Sequence, residues 1–377
     1  MNKKMSFILM AILMMTSLAH ATASKIVQLT NTGGEYVTSV SLNALMGYFN
    51  YCNNNSGNCD IYNYDPLQDH NSLAISGLKA GVILTPGVFS HPVEAIGSFD
   101  TNGFIMETYN GGNPQLCYVD NNYTGALFTQ SCVNIGPQGA VLKAFHVVGS
   151  TLIWGARVTP NGDYVAALPL STFATYINKG VVPSSAVTFL GVAGLYSFTA
   201  GIIGNDTVVV VSENNDTFIR VFKNGQFTYS SYSLIPSNVM ANSQMSLDTN
   251  TETLVWQFLN SQNIVTCNIS TPYSCVPKTL VSSSSPSTKL IASEGRVGWI
   301  DIKGFHIYDT NTKQYLQNNL PSVTDFDMVN GEVLFNYTGH LYYQDLDNIK
   351  PRHIGIRVLD LENSLSLPNA TLLNVAS

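Results

Sequence analysis

The residues of this chain that are best suited to chemistry are few and far apart. His91 and Glu94 lie three residues apart in a loop-rich stretch, where an imidazole and a carboxylate could hold a ligand or a metal ion. Asp325 and Asp327 are separated by one residue in a predicted strand, so both side chains point to the same side. Two carboxyls about 5 Å or about 6.5 to 9.5 Å apart can cleave a glycosidic bond. We therefore name His91, Glu94, Asp325 and Asp327 as candidate binding residues.

Each candidate also has a simpler explanation. Histidines and aspartates of this kind are often surface, strand or turn residues without a ligand. The motifs G-x-S-x-G and H-E-x-x-H, the Walker loop and the EF-hand loop do not occur in the sequence. The sequence therefore favours a protein that is not an enzyme, and we expect no cofactor and no bound metal.

Six cysteines fall into three local pairs, Cys52 with Cys59, Cys117 with Cys132, and Cys267 with Cys275. An even number of cysteines at short spacing in an exported chain indicates disulfides. A zinc site is the alternative, but it needs C-x(2–4)-C spacings, which do not occur. We predict three disulfides between neighbours, each stabilising the fold by about 2.5 to 3 kcal/mol on the chain-entropy model.

The N-terminus has the three parts of a signal peptide. Asn2-Lys3-Lys4 is basic, Phe7 to Leu18 is apolar, and small residues follow at Ala19-His20-Ala21 and Ala21-Thr22-Ala23. The apolar run is shorter than the roughly 20 residues of a spanning helix, and no cysteine follows for lipid attachment. We predict that residues 1–23 are a signal peptide and that residues 24–377 form one domain, secreted or periplasmic in a bacterium.

Composition narrows the range of partners. Charged residues make up 11% of the chain, hydrophobic residues 45%, and the formal net charge is -7. An acidic chain without a basic stripe is a poor ligand for nucleic acid or anionic lipid. No later segment is long and apolar enough to predict a membrane span. The 19 tyrosines, together with many asparagines, suit protein or glycan binding. We expect a monomer with a protein or glycan partner.

The chain repeats a strand–turn–strand unit. Trp154, Trp256 and Trp299 each end an apolar triplet shortly before a turn, and a second strand follows each turn. Four further positions, which we call anchors together with the three tryptophans, have the same context: Tyr48, Ile105, Val210 and Phe335. The spacing of roughly 36 to 57 residues suits four-stranded units of about 40 to 50 residues. Helical candidates are short, namely Val40 to Met46 and Thr172 to Asn178.

These hairpins resemble the blades of a β-propeller. The segment Trp299-Ile300-Asp301 followed by Ile307-Tyr308-Asp309 is similar to the second and third strands of blades in TolB-like and quinoprotein-like propellers. The resemblance implies an all-β fold with seven four-stranded blades, and places Asp325 and Asp327 on the channel-lining strand of the last blade. The terminal segments Lys25 to Leu29 and His353 to Leu361 could then complete one shared blade. A pair of β-sandwiches or an irregular stack of sheets is the alternative.

Fold does not determine activity, so three functions stay open. The first is an exported module that binds a protein or a glycan. The second is a propeller hydrolase or lyase that acts on a glycan or lactone at the channel mouth. The third is a structural assembly subunit, which would need a large exposed apolar patch. The sequence favours the first.

Overall fold

The structure is a computed structural model. It describes residues 26–29, 35–42, 47–53, 58–65, 70–79, 93–95, 103–110, 113–120, 132–158, 162–213, 216–228, 233–236, 245–257, 262–269, 275–347 and 372–373. For the strands between residues 51 and 104 it describes the backbone alone. The predicted signal peptide over residues 1–23, the candidate residue His91 and the candidate closing strand at 353–361 lie outside the described residues.

The described chain is built almost entirely of β-strands. Their bounds are β1 (Ile26–Gln28), β2 (Glu35–Leu42), β3 (Gly47–Asn53), β4 (Asn58–Asp65), β5 (His70–Lys79), β6 (Val93–Ala95), β7 (Gly103–Asn110), β8 (Asn113–Asp120), β9 (Cys132–Asn134), β10 (Val141–Val148), β11 (Thr151–Arg157), β12 (Asp163–Pro169), β13 (Thr188–Val192), β14 (Leu195–Ile203), β15 (Asp206–Glu213), β16 (Asp216–Lys223), β17 (Gln226–Thr228), β18 (Ser233–Pro236), β19 (Ser246–Asp248), β20 (Thr253–Gln257), β21 (Asn263–Asn268), β22 (Lys278–Ser282), β23 (Lys289–Ser293), β24 (Arg296–Asp301), β25 (Gly304–Asp309), β26 (Gln314–Leu320), β27 (Val323–Val329), β28 (Glu332–Tyr337), β29 (His340–Asp345) and β30 (Leu372–Leu373).

These strands form seven antiparallel sheets, which we number in chain order. Sheets 1 to 6 are β2–β5, β6–β9, β10–β13, β14–β17 with β18, β19–β22 and β23–β26, and sheet 7 has the order β27-β28-β29-β1-β30. In every sheet the first three strands pair in chain order. All seven anchors predicted from the sequence lie on the second strand of a sheet. The predicted repeat is therefore confirmed. That the whole ring has seven blades stays a prediction.

Side chains are buried between neighbouring sheets at six junctions of the described chain. Trp154 of sheet 3 packs with Ile105 and Leu116 of sheet 2, and Trp256 of sheet 5 packs with residues of sheet 4. Further core clusters join sheets 3 and 4, 5 and 6, 6 and 7, and 7 and 1. A twisted sheet with two apolar faces cannot cover both alone, so the sheets stack in succession and return from sheet 7 to sheet 1.

The first strand of the described chain completes the last sheet. β1 pairs with β29 in antiparallel register, with Ile26 opposite Gln344, and the Leu29 amide donates to the Leu341 carbonyl at 2.7 Å. β30 pairs with the other edge of β1. The prediction that the N-terminal segment joins the last blade is thus confirmed. This pairing joins the two ends of the stack and removes an open edge.

One helical insertion interrupts the pattern. Helix α1 (Leu170–Tyr176) and 3-10 turns at Ile177–Lys179 and Ser184–Ala186 lie between β12 and β13. Leu170 and Phe173 pack in the core shared by sheets 2 and 3. The prediction of a short helix near Thr172 to Asn178 is confirmed. The prediction of a helix at Val40 to Met46 is wrong over Val40–Leu42. These residues continue β2, because alternate side chains there face the core.

Two of the three predicted disulfides are present in the structure. Cys117–Cys132 links β8 to β9, and Cys267–Cys275 links β21 to the segment before β22. Cys52 stands directly opposite Cys59 in the backbone register of β3 and β4, so the third disulfide stays a prediction with compatible backbone placement. In the described chain, no helix has both the length and the apolar character needed to cross a membrane.

Candidate functional site at the central channel

A cavity of about 380 Å³ lies where the first strands converge, and we call it the channel cavity. Its lining comes from sheets 1, 3, 4, 5, 6 and 7. The lining residues are Ser41, Leu42, His146, Val147, Thr199, Ala200, Ser246, Leu247, Asp248, Thr249, Asn250, Ile291, Ala292, Ser293, Asp327, Met328, Val329 and Asn330. Most lie at the C-terminal ends of first strands or in the turns that follow, so the cavity is at one mouth of the channel.

The first strands need hydrogen-bond acceptors on their inner edges. In the described residues each first strand pairs on one side, with the second strand of its sheet. Buried N–H groups on the other edge require partners. Side chains of the preceding sheet supply them: Ser246 Oγ accepts from the Ala292 amide at 2.8 Å, and Ser293 Oγ accepts from the Asn330 amide at 3.3 Å. Polar residues of the channel therefore fasten one sheet to the next.

The predicted pair Asp325 and Asp327 performs the same task between sheet 7 and sheet 1. Both lie on β27, the first strand of the last sheet, as the resemblance implied. Asp325 Oδ2 accepts from the Val40 amide and Asp327 Oδ2 accepts from the Leu42 amide, each at 2.8 Å. Asp327 lines the channel cavity, whereas Asp325 does not. The sequence did not reveal that both carboxylates join the two ends of the stack.

Asp325 has a second partner on the neighbouring sheet. The Lys289 ammonium on β23 donates to Asp325 Oδ1 at 2.6 Å; Lys289 is buried, and the Asp325 side chain is 15% exposed. Burial raises the pKa of Asp325, although the Lys289 ammonium and the Val40 amide act in the opposite direction; the charge of Asp327 raises the pKa further. The Asp325 carboxyl thus connects the first strands of three consecutive sheets, β23, β27 and β2.

The third channel carboxylate, Asp248, is fully occupied by hydrogen bonds. Its Oδ2 accepts from the Gly295 amide at 2.6 Å and from the Thr251 hydroxyl at 2.7 Å. Its Oδ1 accepts from the amides of Asn250 and Thr251 at 3.0 and 3.4 Å. An ionised carboxylate has about four lone-pair positions, so Asp248 has little capacity left for a ligand.

The remaining polar lining consists of neutral groups. Ser41 and Thr199 contribute hydroxyls, Asn330 contributes an amide, and His146 contributes an imidazole whose ring meets Phe198 edge-on at 5.2 Å. None of the described lining residues is Lys or Arg. Ser41, His146, Thr199 and Asn330 were not among the site residues predicted from the sequence. A usable signal exists, because a polar residue precedes each anchor of these sheets by about 6 to 11 positions along the first strand.

A second polar cluster lies at the junction of sheets 5 and 6. Ser283 Oγ donates to Asp301 Oδ2 at 2.9 Å, and His306 Nε2 lies 3.1 Å from Asp301 Oδ1. His306 is stacked on Trp299, with ring centroids 4.7 Å apart. The set contains Ser, His and Asp, but the serine hydroxyl contacts the carboxylate and not the imidazole. A nucleophilic serine needs its base as hydrogen-bond partner, so this geometry indicates a structural cluster.

The electrostatics of Asp301 agree with that interpretation. Burial by itself would raise its pKa, but the amides of Ser284 and Lys303 and the side chains of His306 and Ser283 donate hydrogen bonds that outweigh burial and lower the pKa. His306 and His340 lie on third strands, β25 and β29.

The other two candidates remain predictions. Glu94 lies on β6, the first strand of sheet 2, where the structure describes the backbone alone, and His91 lies outside the described residues. Within the described ranges, no group of three or more His, Cys, Asp or Glu residues is arranged to hold a metal ion.

Comparisons with known proteins identify the fold. No family model and no curated protein matches the chain. Among solved structures, the WD40 β-propeller domain of Doa1 is 11% identical, with 85% of this chain and 96% of that chain covered and a TM-score of 0.52. A puromycin-hydrolyzing peptidase from Mycobacterium tuberculosis is 10% identical over 84% of this chain and 52% of that chain, with a TM-score of 0.57.

A third similar structure is the β-propeller domain of the Trilobed protease from Pyrococcus furiosus, 9% identical, covering 84% of this chain and 99% of that chain, with a TM-score of 0.51. Together with the consecutive four-stranded sheets, these likenesses show that the protein is a disulfide-containing β-propeller. At such low identity they show the fold alone.

Proposed function

We propose that the protein is an exported binding module that holds a protein or glycan ligand at the channel cavity. One observation carries the proposal. The cavity collects neutral polar groups from several sheets at one mouth of the channel, while the carboxylates of Asp248 and Asp327 are occupied by backbone amides. A concave site with a few convergent polar groups is the usual form of a ligand site.

A hydrolase or lyase is the second candidate. Some structures with this fold belong to peptidases that hydrolyse puromycin, although this chain covers about half of their length. The carboxyl pair that prompted the enzymatic alternative instead accepts hydrogen bonds from Val40 and Leu42, which supports the binding function. A carboxylate that holds a neighbouring strand is poorly placed to exchange protons with a substrate.

Export is part of the proposal. The two disulfides of the described chain are compatible with a protein outside the cytoplasm, because such bonds persist in oxidising compartments. The predicted signal peptide supports the same location. Detection of the processed chain in periplasm or culture medium tests this part.

The binding site is tested by blocking the cavity. Asn250 is an exposed lining residue in the turn after β19, so Asn250→Trp should cover the mouth without entering the core. Thr279→Trp, on the exposed outer strand β22, is the matched control. The immobilised proteins are probed with arrays of oligosaccharides and with extracellular protein extracts. Loss of a ligand by Asn250→Trp alone supports the proposal, and equal binding by both variants contradicts it.

A further inference from the structure

We infer that the channel cavity binds one or two uncharged sugar units of a glycan. The inference rests on the proposed binding function and specifies its ligand. It follows from the charge, the size and the donor groups of the described lining.

The charges of the lining favour a neutral ligand. An anionic ligand would need a cationic partner, and the described lining residues include neither Lys nor Arg, only the imidazole of His146. A cationic ligand would need an available carboxylate. Asp248 already accepts four hydrogen bonds, and Asp327 accepts from the amides of Leu42 and Met328, each at 2.8 Å. A buried charge that finds no partner is costly, so the cavity favours a neutral ligand.

The polar groups suit hydroxyl-rich ligands. Ser246 and Ser293 use their Oγ atoms as acceptors for the amides of the next sheet, which leaves each O–H able to donate toward a ligand. Ser41 and Thr199 add two further hydroxyls from sheets 1 and 4. Hydroxyls donate and accept, as sugar hydroxyls do, so complementary bonds can form around a ring of either orientation.

The lining also has an apolar part, and its size limits the ligand. Leu247, Ile291 and Met328, from three consecutive sheets, contribute to the lining, and their side chains belong to the cores between sheets. A volume of about 380 Å³ is at the low end of the roughly 300 to 1,000 Å³ found for small-molecule sites. The site therefore holds a terminal unit or a disaccharide, not a long chain segment.

A protein partner is less well matched to the same surface. The energy of protein interfaces is concentrated in Trp, Tyr and Arg side chains, and none of these is among the described lining residues. A stable protein complex also buries about 1,200 to 2,000 Å² in total, far more than the walls of a cavity this small provide.

The test uses a library of immobilised neutral and acidic oligosaccharides, followed by titration of the best neutral disaccharide. Thr199→Val removes one lining hydroxyl at nearly constant shape, and Thr279→Val makes the same change on the exposed strand β22. Loss of one hydrogen bond should weaken binding by Thr199→Val about 2- to 12-fold and leave Thr279→Val unchanged. Thermal unfolding of both variants verifies that they fold, and Asn250→Trp provides a second block if Thr199→Val is unstable.

The outcomes separate the inference from the function on which it rests. Neutral disaccharides that bind the parent protein but not Asn250→Trp support both. Binding of acidic oligosaccharides or of a protein, lost in Asn250→Trp, overturns the sugar inference and leaves the binding module intact. Binding that no cavity variant alters overturns both, since the ligand site is then elsewhere.

Discussion

Replacing Asp327 by alanine should weaken the junction between sheets 7 and 1. Asp327 is 2% exposed, and its carboxylate accepts from the Leu42 amide across the junction and from the Met328 amide of its own strand. In Asp327→Ala neither amide keeps this acceptor. The junction joins residues 285 positions apart in the chain, so it contributes to closing the whole stack.

The magnitude follows from the two bonds. A hydrogen bond to a charged group contributes about 1.5 to 3 kcal/mol, and a buried amide left without a partner costs about 1 to 3 kcal/mol. Removal of a buried charge beside Asp325 offsets part of this loss. We expect Asp327→Ala to lower the free energy of unfolding by about 2 to 4 kcal/mol. Asp327→Asn keeps one acceptor oxygen and should lose less.

Asp309→Ala is the matched control. Asp309 accepts from the amides of Asn311 and Thr312 at 2.8 and 2.9 Å, distances like those at Asp327, but these bonds are exposed to solvent and stay within one turn. Its loss should cost at most about 1 kcal/mol. Urea unfolding followed by the fluorescence of Trp154, Trp256 and Trp299, all buried, gives both values. Equal destabilisation by the two variants would refute the special contribution of the junction.

Three further predictions concern packing, pH and disulfides. A Cβ at Gly298 would lie 2.7 Å from Phe326 Cε2 on the next sheet, so Gly298→Ala should cost about 1 to 3 kcal/mol in urea unfolding, while Gly191→Ala, with open space around it, should not. The lowered pKa of Asp301 makes its contribution to stability complete above the ordinary value of 3.8 and lost as the pH falls below it. Asp301→Asn should therefore reduce the loss of stability measured between neutral pH and about pH 3; an unchanged loss would contradict the assignment. Mass spectrometry of the unreduced protein should give three local disulfides, including Cys52–Cys59, and a free thiol or a long-range pair would count against that pattern.

The sequence predicted the sheets well because their signals are local. Trp154, Trp256 and Trp299 each lie on the second strand of a sheet, and in each case a turn and then the partner strand follow within a few residues. Register and burial are therefore set over short distances. The site could not be predicted to the same extent. Asp327 and Leu42 are in contact only because seven sheets return to the starting point, and no local pattern contains that contact.

The residues that form the cavity also hold the sheets together, and this explains what the site can bind. Ser246, Ser293 and Asp327 each line the cavity and accept a hydrogen bond from the next sheet. Their acceptor atoms are therefore used internally, and what remains for a ligand is mainly O–H donors and neutral polar groups.

It follows that Asp327→Ala should lose stability and binding together, because the wall itself shifts. Thr199→Val, which breaks no described hydrogen bond between sheets, should lose binding alone. If both variants lost the two properties in the same proportion, the cavity wall and the ligand site could not be distinguished in this way, and the sugar inference would lose its main support.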